Sequence, residues 1–269
     1  MSLITLNEEK CTKCGMCIKE CPTAVIKMGE NGPEEINAKA CLACGHCVAI
    51  CPNEAIDNEK SPLSEQVKKE LNLPKLNPEE AENFLRSRRS IRSFKEAAVP
   101  REKLIKLADI AHYAPTASNL QGVSFMIVDN KEAIRAAVNI SADWLGKHPV
   151  YSKMFGGMIT AFKENGIDTI LRNAPSIILA ISDKAFPFGR ENSTLSLSYL
   201  ELFAPSLDLG SCWAGVFECC ALADESPILE ILKVPKDKKI TGVVMVGYPK
   251  HNFNKFTSRN PLNVTFYEK

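Results

Sequence analysis

Cys11-Thr-Lys-Cys14-Gly-Met-Cys17-Ile-Lys-Glu-Cys21-Pro22 is followed by Cys41-Leu-Ala-Cys44-Gly-His-Cys47-Val-Ala-Ile-Cys51-Pro52. Every cysteine of the first run returns 30 residues later, and Gly15 and Pro22 return as Gly45 and Pro52. The stretch is therefore a duplicated unit, not a chance cluster. It holds eight of the 11 cysteines; only Cys212, Cys219 and Cys220 follow. A length of 269 residues suits one large domain or two unequal ones. The lopsided cysteines favour two.

Composition narrows the class. An apolar content of 45% and a charged content of 24% are ordinary globular values. The net charge of +1 gives no electrostatic case for nucleic acid. Residues 1–60 carry 6 basic and 9 acidic residues, so a mildly acidic head precedes a mildly basic body. The longest apolar runs, 175–181 and 243–246, are strand-sized, well short of the roughly 18 residues that span a bilayer. Residues 1–9 have neither a basic n-region nor a long apolar core, so we expect no signal peptide, no membrane partner and a cytoplasmic location. Clustered cysteines in that compartment more often bind metal or act in catalysis than form structural disulfides.

The spacing C-x2-C-x2-C-x3-C-P is the bacterial iron–sulfur run. Three thiolates two residues apart on a tight loop converge on three corners of a cube, and loop N–H groups can face its sulfurs. The fourth cysteine, held by proline, faces the other cluster, and in two-cluster ferredoxins it crosses over. This assigns Cys11, Cys14, Cys17 and Cys51 to one 4Fe–4S cluster and Cys41, Cys44, Cys47 and Cys21 to the other. A zinc site wants two C-x2-C pairs and fits two identical quartets poorly. Residues 1–57 resemble a bacterial two-cluster ferredoxin throughout. His46 is expected beside the second cluster, not on it.

The texture changes after Asp57. Ser61-Pro62 and Leu73-Pro74 bracket an expected short helix over 65–71, and Asn77-Pro78-Glu79-Glu80 reads as a capped helix start. We expect a ferredoxin-type domain over 1–60, a linker over 61–78 and a second domain over 79–269. In the second domain, helices are expected over 100–113, 132–138, 192–209 and 226–232, and strands over 123–128, 176–181 and 240–247. Pro205 should kink the long helix, and Gly210 reads as its left-handed stop. Helices and strands interleave, so the class is α+β or α/β. Neither G-x-G-x-x-G after a strand nor a P-loop nor H-E-x-x-H occurs, which removes the commonest phosphate cradles and zinc-protease chemistry.

Arg86-Ser87-Arg88-Arg89-Ser90-Ile91-Arg92-Ser93-Phe94 puts four arginines within seven positions. Guanidinium forks suit bidentate phosphate binding; a solvated basic face is the bland alternative. Three stretches follow. Ala114-Pro115-Thr116-Ala117-Ser118-Asn119-Leu120-Gln121 clusters amides and hydroxyls. Leu209-Gly210-Ser211-Cys212-Trp213-Ala214-Gly215 sets small residues beside a large aromatic. Gly247-Tyr248-Pro249 leads on to Arg259-Asn260-Pro261. The order R-R-S-x-R, A-P-x-x-x-N-x-Q, L-G-x-x-W-x-G, G-Y-P…R-x-P resembles the FMN-dependent nitroreductase family over about 80–269.

The resemblance implies an α+β fold, a sheet flanked by helices, built as an intertwined homodimer with FMN at the interface. It implies that Arg88, Arg89, Ser90 and Arg92 hold the FMN phosphate, ribityl chain and pyrimidine edge, and that Arg259 closes on the phosphate. Ser118, Asn119 and Gln121 would reach the flavin from the partner subunit, with Pro115, Thr116 and Ala117 shaping the turn. Cys212 and Trp213 would lie against the ring, and the N–H groups of Ala214 and Gly215 would face its N5 and O4 atoms. Cys219 and Cys220 are expected as buried thiols. Gly122-Val123 stands where the family often has Pro-Trp, and Thr257 where some members have a second basic phosphate ligand. No side chain is assigned a catalytic acid, base or nucleophile, because the flavin carries the redox chemistry.

The expected function is a flavin-dependent oxidoreductase that reduces nitro, quinone or similar acceptors. Its clusters pass electrons to or from FMN, and a ferredoxin or NAD(P)H is the redox partner. Two alternatives stay open: an electron-transfer or redox-sensing module without small-molecule turnover, and another flavin reaction such as reductive dehalogenation.

Overall fold

The computed structural model describes residues 2–68 and 75–267. Contact clustering divides them into two compact units. One holds the described residues up to Lys75 together with Ala117–Leu120; the other holds the rest.

The first unit is two copies of one small motif. Its elements are β1 (Ile4–Leu6), α1 (Met16–Lys19), β2 (Ile26–Met28), β3 (Pro33–Glu35), α2 (His46–Ala49) and β4 (Ile56–Asn58). β1 pairs antiparallel with β4, and β2 with β3. The sequence repeat is also a backbone repeat. Gly15 and Gly45, at φ 73° and 69°, cap α1 and α2 in the left-handed region that glycine enters freely. Lys13 and Ala43 are left-handed as well, at φ 55° and 53°. Among the described residues its core cluster is Leu3, Ile4, Val25, Ile26, Val48 and Ile56 with the buried Cys17 and Cys47. So small a core needs a further staple to hold a fold.

The second unit contains α3 (Pro78–Ser87), α4 (Arg101–His112), β5 (Ser124–Val128), α5 (Lys131–Lys147), α6 (Tyr151–Met154), α7 (Gly156–Asn165), β6 (Ser176–Asp183), α8 (Gly189–Phe203), β7 (Gly210–Trp213), α9 (Gly215–Ala221), α10 (Pro227–Ile231) and β8 (Lys238–Gly247). The four strands form one antiparallel sheet in the order β5-β6-β8-β7. This is the expected α+β architecture. Helices cover both faces, which is why β6 reads as an unbroken apolar run instead of an alternating one.

Period-two geometry sorts the side chains into two cores. Ile177, Leu179, Val243 and Met245 face α5, α9 and α10, while Ile178, Ala180, Val244 and Val246 face α4 and α8. A bulge opposite Ala180/Ile181 resets the alternation, so Ile240 shares a face with Val243.

Several elements differ from their expected bounds. Asn77 caps α3 with a full capping box, its Oδ1 accepting from Glu80 N–H at 2.9 Å. The helix expected over 132–138 continues to Lys147 because Ala142 and Leu145 keep filling the core. α8 starts at Gly189 and ends at Phe203; Pro205 sits in a 3-10 turn over Ala204–Leu207. The left-handed stop is Asp208, at φ 61°. Gly210 instead opens β7, where a Cβ would strike Ile91 and Pro249. Of the helix expected over 65–71, Glu65 closes a 3-10 turn, 66–68 are not helical, and 69–71 lie outside the described residues.

Candidate functional site

The cysteine loops build two separate cavities. Cys11, Cys14, Cys17 and Cys51 line the first, and Cys21, Cys41, Cys44 and Cys47 line the second. The fourth thiol of each run thus joins the other run's three. Among the described residues, no three His, Cys, Asp or Glu side chains close on a single ion-sized point. Four thiols spread around a cavity suit a cube better than a mononuclear zinc. Ala55 N–H donates to Cys51 Sγ at 3.2 Å, and Asn58 Nδ2 faces Cys47 Sγ at 3.6 Å and Cys41 Sγ at 3.9 Å. Such N–H···S donors stabilise charge on a bound cluster.

The thiols also differ in proton affinity. Burial, with the neighbouring Cys51 and Cys14, pushes Cys17 up, and burial pushes Cys47 up against the pull of Asn58. The N–H of Met16 pulls Cys14 down. Loading these sites must release protons, because only thiolate ligates. His46 lines the second cavity beside its cysteines.

In the second unit, residues 90–91 run beside β7. Ser90 and Ser211 form a parallel bridge, and Ile91 N–H donates to the Ser211 carbonyl at 2.9 Å. This brings the arginines to the sheet. Arg88 Nη1 lies 3.5 Å from Ser90 Oγ and 4.0 Å from Glu201 Oε1. Arg89 Nη1 donates to Thr257 Oγ1 at 2.7 Å, and its guanidinium lies 5.4 Å from the Phe253 ring centre. Arg89 Nε is buried with no partner among the described residues, so an acceptor there would satisfy it. Arg92 Nη1 donates to the Ser90 carbonyl at 3.4 Å.

Cys212, buried in β7, is pushed up chiefly by burial, an effect opposed by the charge of Arg92 and reinforced by that of Glu201. A cavity of about 510 Å3 opens alongside, lined among others by Arg89, Lys95, Glu201, Ser211, Tyr248 and His251. That is the size of a small-ligand site. Of the residues expected to hold a flavin, Arg89 lines this cavity, whereas Arg88, Ser90, Arg92, Cys212 and Arg259 do not.

The other expected residues fall as follows. Cys212 and Trp213 point to opposite faces of the sheet, the thiol into one core and the indole against the other. A flat ligand on one face meets only one of them. The Ala214 N–H donates to the Val243 carbonyl at 2.9 Å, so the sheet already uses it. Gly215 opens onto unfilled space where a Cβ would stand. Pro115–Gln121 forms a tight turn with Ser118, Asn119 and Gln121 left-handed, closed by Gln121 N–H on Thr116 Oγ1 at 3.1 Å. Ala117–Leu120 groups with the first unit, where Asn119 Nδ2 donates to the Leu42 and Ala43 carbonyls at 3.1 Å each. Arg259 is exposed in the irregular stretch after Pro249. Cys220 is buried as expected; Cys219 is half-buried.

Two acids were missed. Glu201 lies near the C-terminal end of α8; burial pushes its pKa up, opposed by Arg88 and Ser211. Its isolation within Leu200-Glu201-Leu202-Phe203 was the available signal. Glu218 is buried in α9 and takes a two-pronged ion pair from Arg190, 3.1 and 3.0 Å, plus the Val243 N–H at 2.8 Å. Nothing local marks a pair 28 residues apart.

Residues 85–248 match the nitroreductase family. The chain belongs to that family. Residues 3–52 match the 4Fe–4S dicluster domain, so this nitroreductase-family protein carries an N-terminal iron–sulfur module. It is 26% identical over 187 residues to an iodotyrosine deiodinase from Thermotoga neapolitana, an alignment covering 68% of this chain and 96% of the relative. It is also similar to an FMN-dependent nitroreductase from Clostridium difficile, at 28% identity and TM-score 0.50, covering 70% of this chain and 99% of that one. A nitroreductase with bound FMN from Bacteroides fragilis shares the fold at TM-score 0.60 and 19% identity, covering 70% and 99% of the two chains. No helix among the described residues is long and apolar enough to cross a membrane.

Proposed function

We propose that this protein is a cytoplasmic FMN-dependent reductase of nitro, quinone or similar acceptors, wired through two 4Fe–4S clusters. The observation that carries the reading is the union in one chain of two crossed cysteine quartets, each lining one cavity, with a nitroreductase-family domain. On this reading the domains are 1–60 and 79–269, joined by 61–78. When bound, the clusters supply electrons singly, and FMN takes them singly and passes them on in pairs.

The chain's own residues bind and orient. Arg88 and Arg89 present fork-shaped donors to a phosphate, and the orphaned Arg89 Nε gains an acceptor. Ser90 and Arg92 serve the ribityl chain and the pyrimidine edge, while Cys212 lies against the ring. Gly215, with no Cβ to intrude, lets its backbone approach the N5 edge and stabilise negative charge there. Ser118, Asn119 and Gln121 reach the flavin from the partner subunit, and Arg259 closes on the phosphate. A homodimer is supported by the irregular C-terminal stretch, whose Leu262 and Phe266 are 88% and 82% exposed. A second copy of the chain would cover such side chains.

The test is anaerobic purification with assays for iron, sulfide and FMN. Bleaching by NADH, NADPH or reduced ferredoxin identifies the donor, and nitroaromatics and quinones are then added. Absence of FMN contradicts the proposal. A bleached flavin that no acceptor reoxidises would favour an electron-transfer module instead. The deiodinase relative, matched over 96% of its length, favours one second reading: reductive dehalogenation. Halide release from a halogenated tyrosine under the same conditions would support it.

A further inference from the structure

Asn58 breaks the symmetry of the two cluster sites. It ends β4 and is 3% exposed, and its Nδ2 faces Cys47 Sγ at 3.6 Å and Cys41 Sγ at 3.9 Å. The amide cannot be turned the other way. Its Oδ1 accepts the Lys60 N–H at 2.9 Å, and a backbone N–H must meet oxygen, so the NH2 group must face the sulfurs. The repeat places Met28 at the equivalent position, at the end of β2. The Met28 side chain has no N–H, and it does not line the first cavity.

The other donors and charges are weaker sources of asymmetry. Ala55 N–H donates to Cys51 Sγ in the first quartet at 3.2 Å, but it reaches one thiol where the Asn58 amide faces two. The turn around it recurs in both halves, with Ala24 N–H on the Cys21 carbonyl at 3.2 Å and Glu54 N–H on the Cys51 carbonyl at 3.3 Å. Lys10 and Lys13 line the first cavity and His46 the second, while Lys60 Nζ lies 3.5 Å from the Cys41 carbonyl. These lysines are exposed, and water and salt screen them. The Asn58 amide is buried, so its field is not screened in this way.

We infer that Asn58 is a potential-setting residue that makes the Cys21/Cys41/Cys44/Cys47 cluster the better electron acceptor of the two. Reduction adds one electron and no proton, so the reduced cluster is more negative by one charge. The donor is a one-electron reductant such as dithionite. An N–H dipole aimed at the thiolates stabilises the more negative state and raises the potential. An electron entering the ferredoxin unit therefore comes to rest on the second cluster.

The test uses the full chain loaded with both clusters, in an electron-paramagnetic-resonance-monitored titration with dithionite. Iron and sulfide assays first establish loading, which separates this inference from the cluster assignment it rests on. Wild type should titrate in two separable steps. In Asn58→Leu the higher step falls by at least tenfold in electron affinity, about 59 mV for one electron, and the lower step stays. Asn58→Asp, close in shape but with a carboxylate facing the sulfurs, should lower it further. The inference is overturned if neither step moves, if both move together, or if the step rises. It also fails if both variants lose one cluster's iron, because Asn58 would then be a structural strut.

Discussion

Arg190→Ala should be among the costliest single changes on the polar side of the second unit. The guanidinium makes both prongs of the pair with Glu218, donates to the Thr241 carbonyl at 2.9 Å and lies 5.1 Å from the Trp213 ring centre. The Thr241 carbonyl is available because the bulge in β8 takes that residue out of register. Glu218 is only 7% exposed, whereas Arg190 is 47% exposed. Removing the arginine leaves a buried carboxylate that still holds the Val243 N–H. Breaking a fully buried pair costs about 3–5 kcal/mol; with one partner half in water we expect about 2–3 kcal/mol. Glu218→Gln keeps an acceptor for Val243 and should cost about 1–2 kcal/mol. The double variant should cost less than the sum, because the uncompensated charge is gone. Urea unfolding followed by circular dichroism, at constant m-value, measures this. A cost for Arg190→Ala under about 0.5 kcal/mol, or strict additivity in the double variant, would refute the reasoning. Because the pair ties α8 and β8 to α9, just after Ala214-Gly215, FMN retention should fall in the same order.

The remaining predictions concern the two cofactor sites and one buried acid. Arg88→Ala with Arg89→Ala should lose FMN and keep iron, with flavin affinity down by roughly tenfold or more per lost charged hydrogen bond; simultaneous iron analysis checks it. Cys14→Ala should lose the iron of one cluster and keep FMN, unless the ferredoxin unit fails to fold, which circular dichroism detects. Glu201 holds its proton more tightly in the folded state than the usual 4.5, chiefly through burial. Its contribution to stability is therefore lost as pH rises from there through the folded pKa. Glu201→Gln should gain on wild type across that rise and match its pH dependence below it; urea midpoints across a pH series would show a constant gap if this is wrong.

What was legible follows from the range of each interaction. The quartets were readable because ligation dictates spacing within a loop, and only the crossing of Cys21 and Cys51 required a partner run. β6 and β8 were readable because two covered faces leave unbroken Ile, Leu and Val. The cap at Asn77 was readable because its partner, Glu80, is three residues away. The end of α5 was not, because Ala142 and Leu145 are helical through their packing against the sheet. The pointing of Cys212 and Trp213 to opposite faces follows from β7 being a strand, which a four-residue stretch beginning with Gly-Ser does not announce. The Arg190–Glu218 pair was invisible because the sheet assembles it. Asn58 drew no reading from the sequence, because its amide acquires a direction only through the Lys60 N–H in the folded chain.

The central claim is that clusters and flavin form one electron pathway. The measurement is a freeze-quench experiment on the fully reduced, fully loaded protein mixed anaerobically with a nitroaromatic acceptor, following cluster signals and flavin together. The account predicts that both are reoxidised in the same turnover, delivering more electrons per chain than the flavin alone can hold. Flavin that reoxidises while both clusters stay reduced would contradict it.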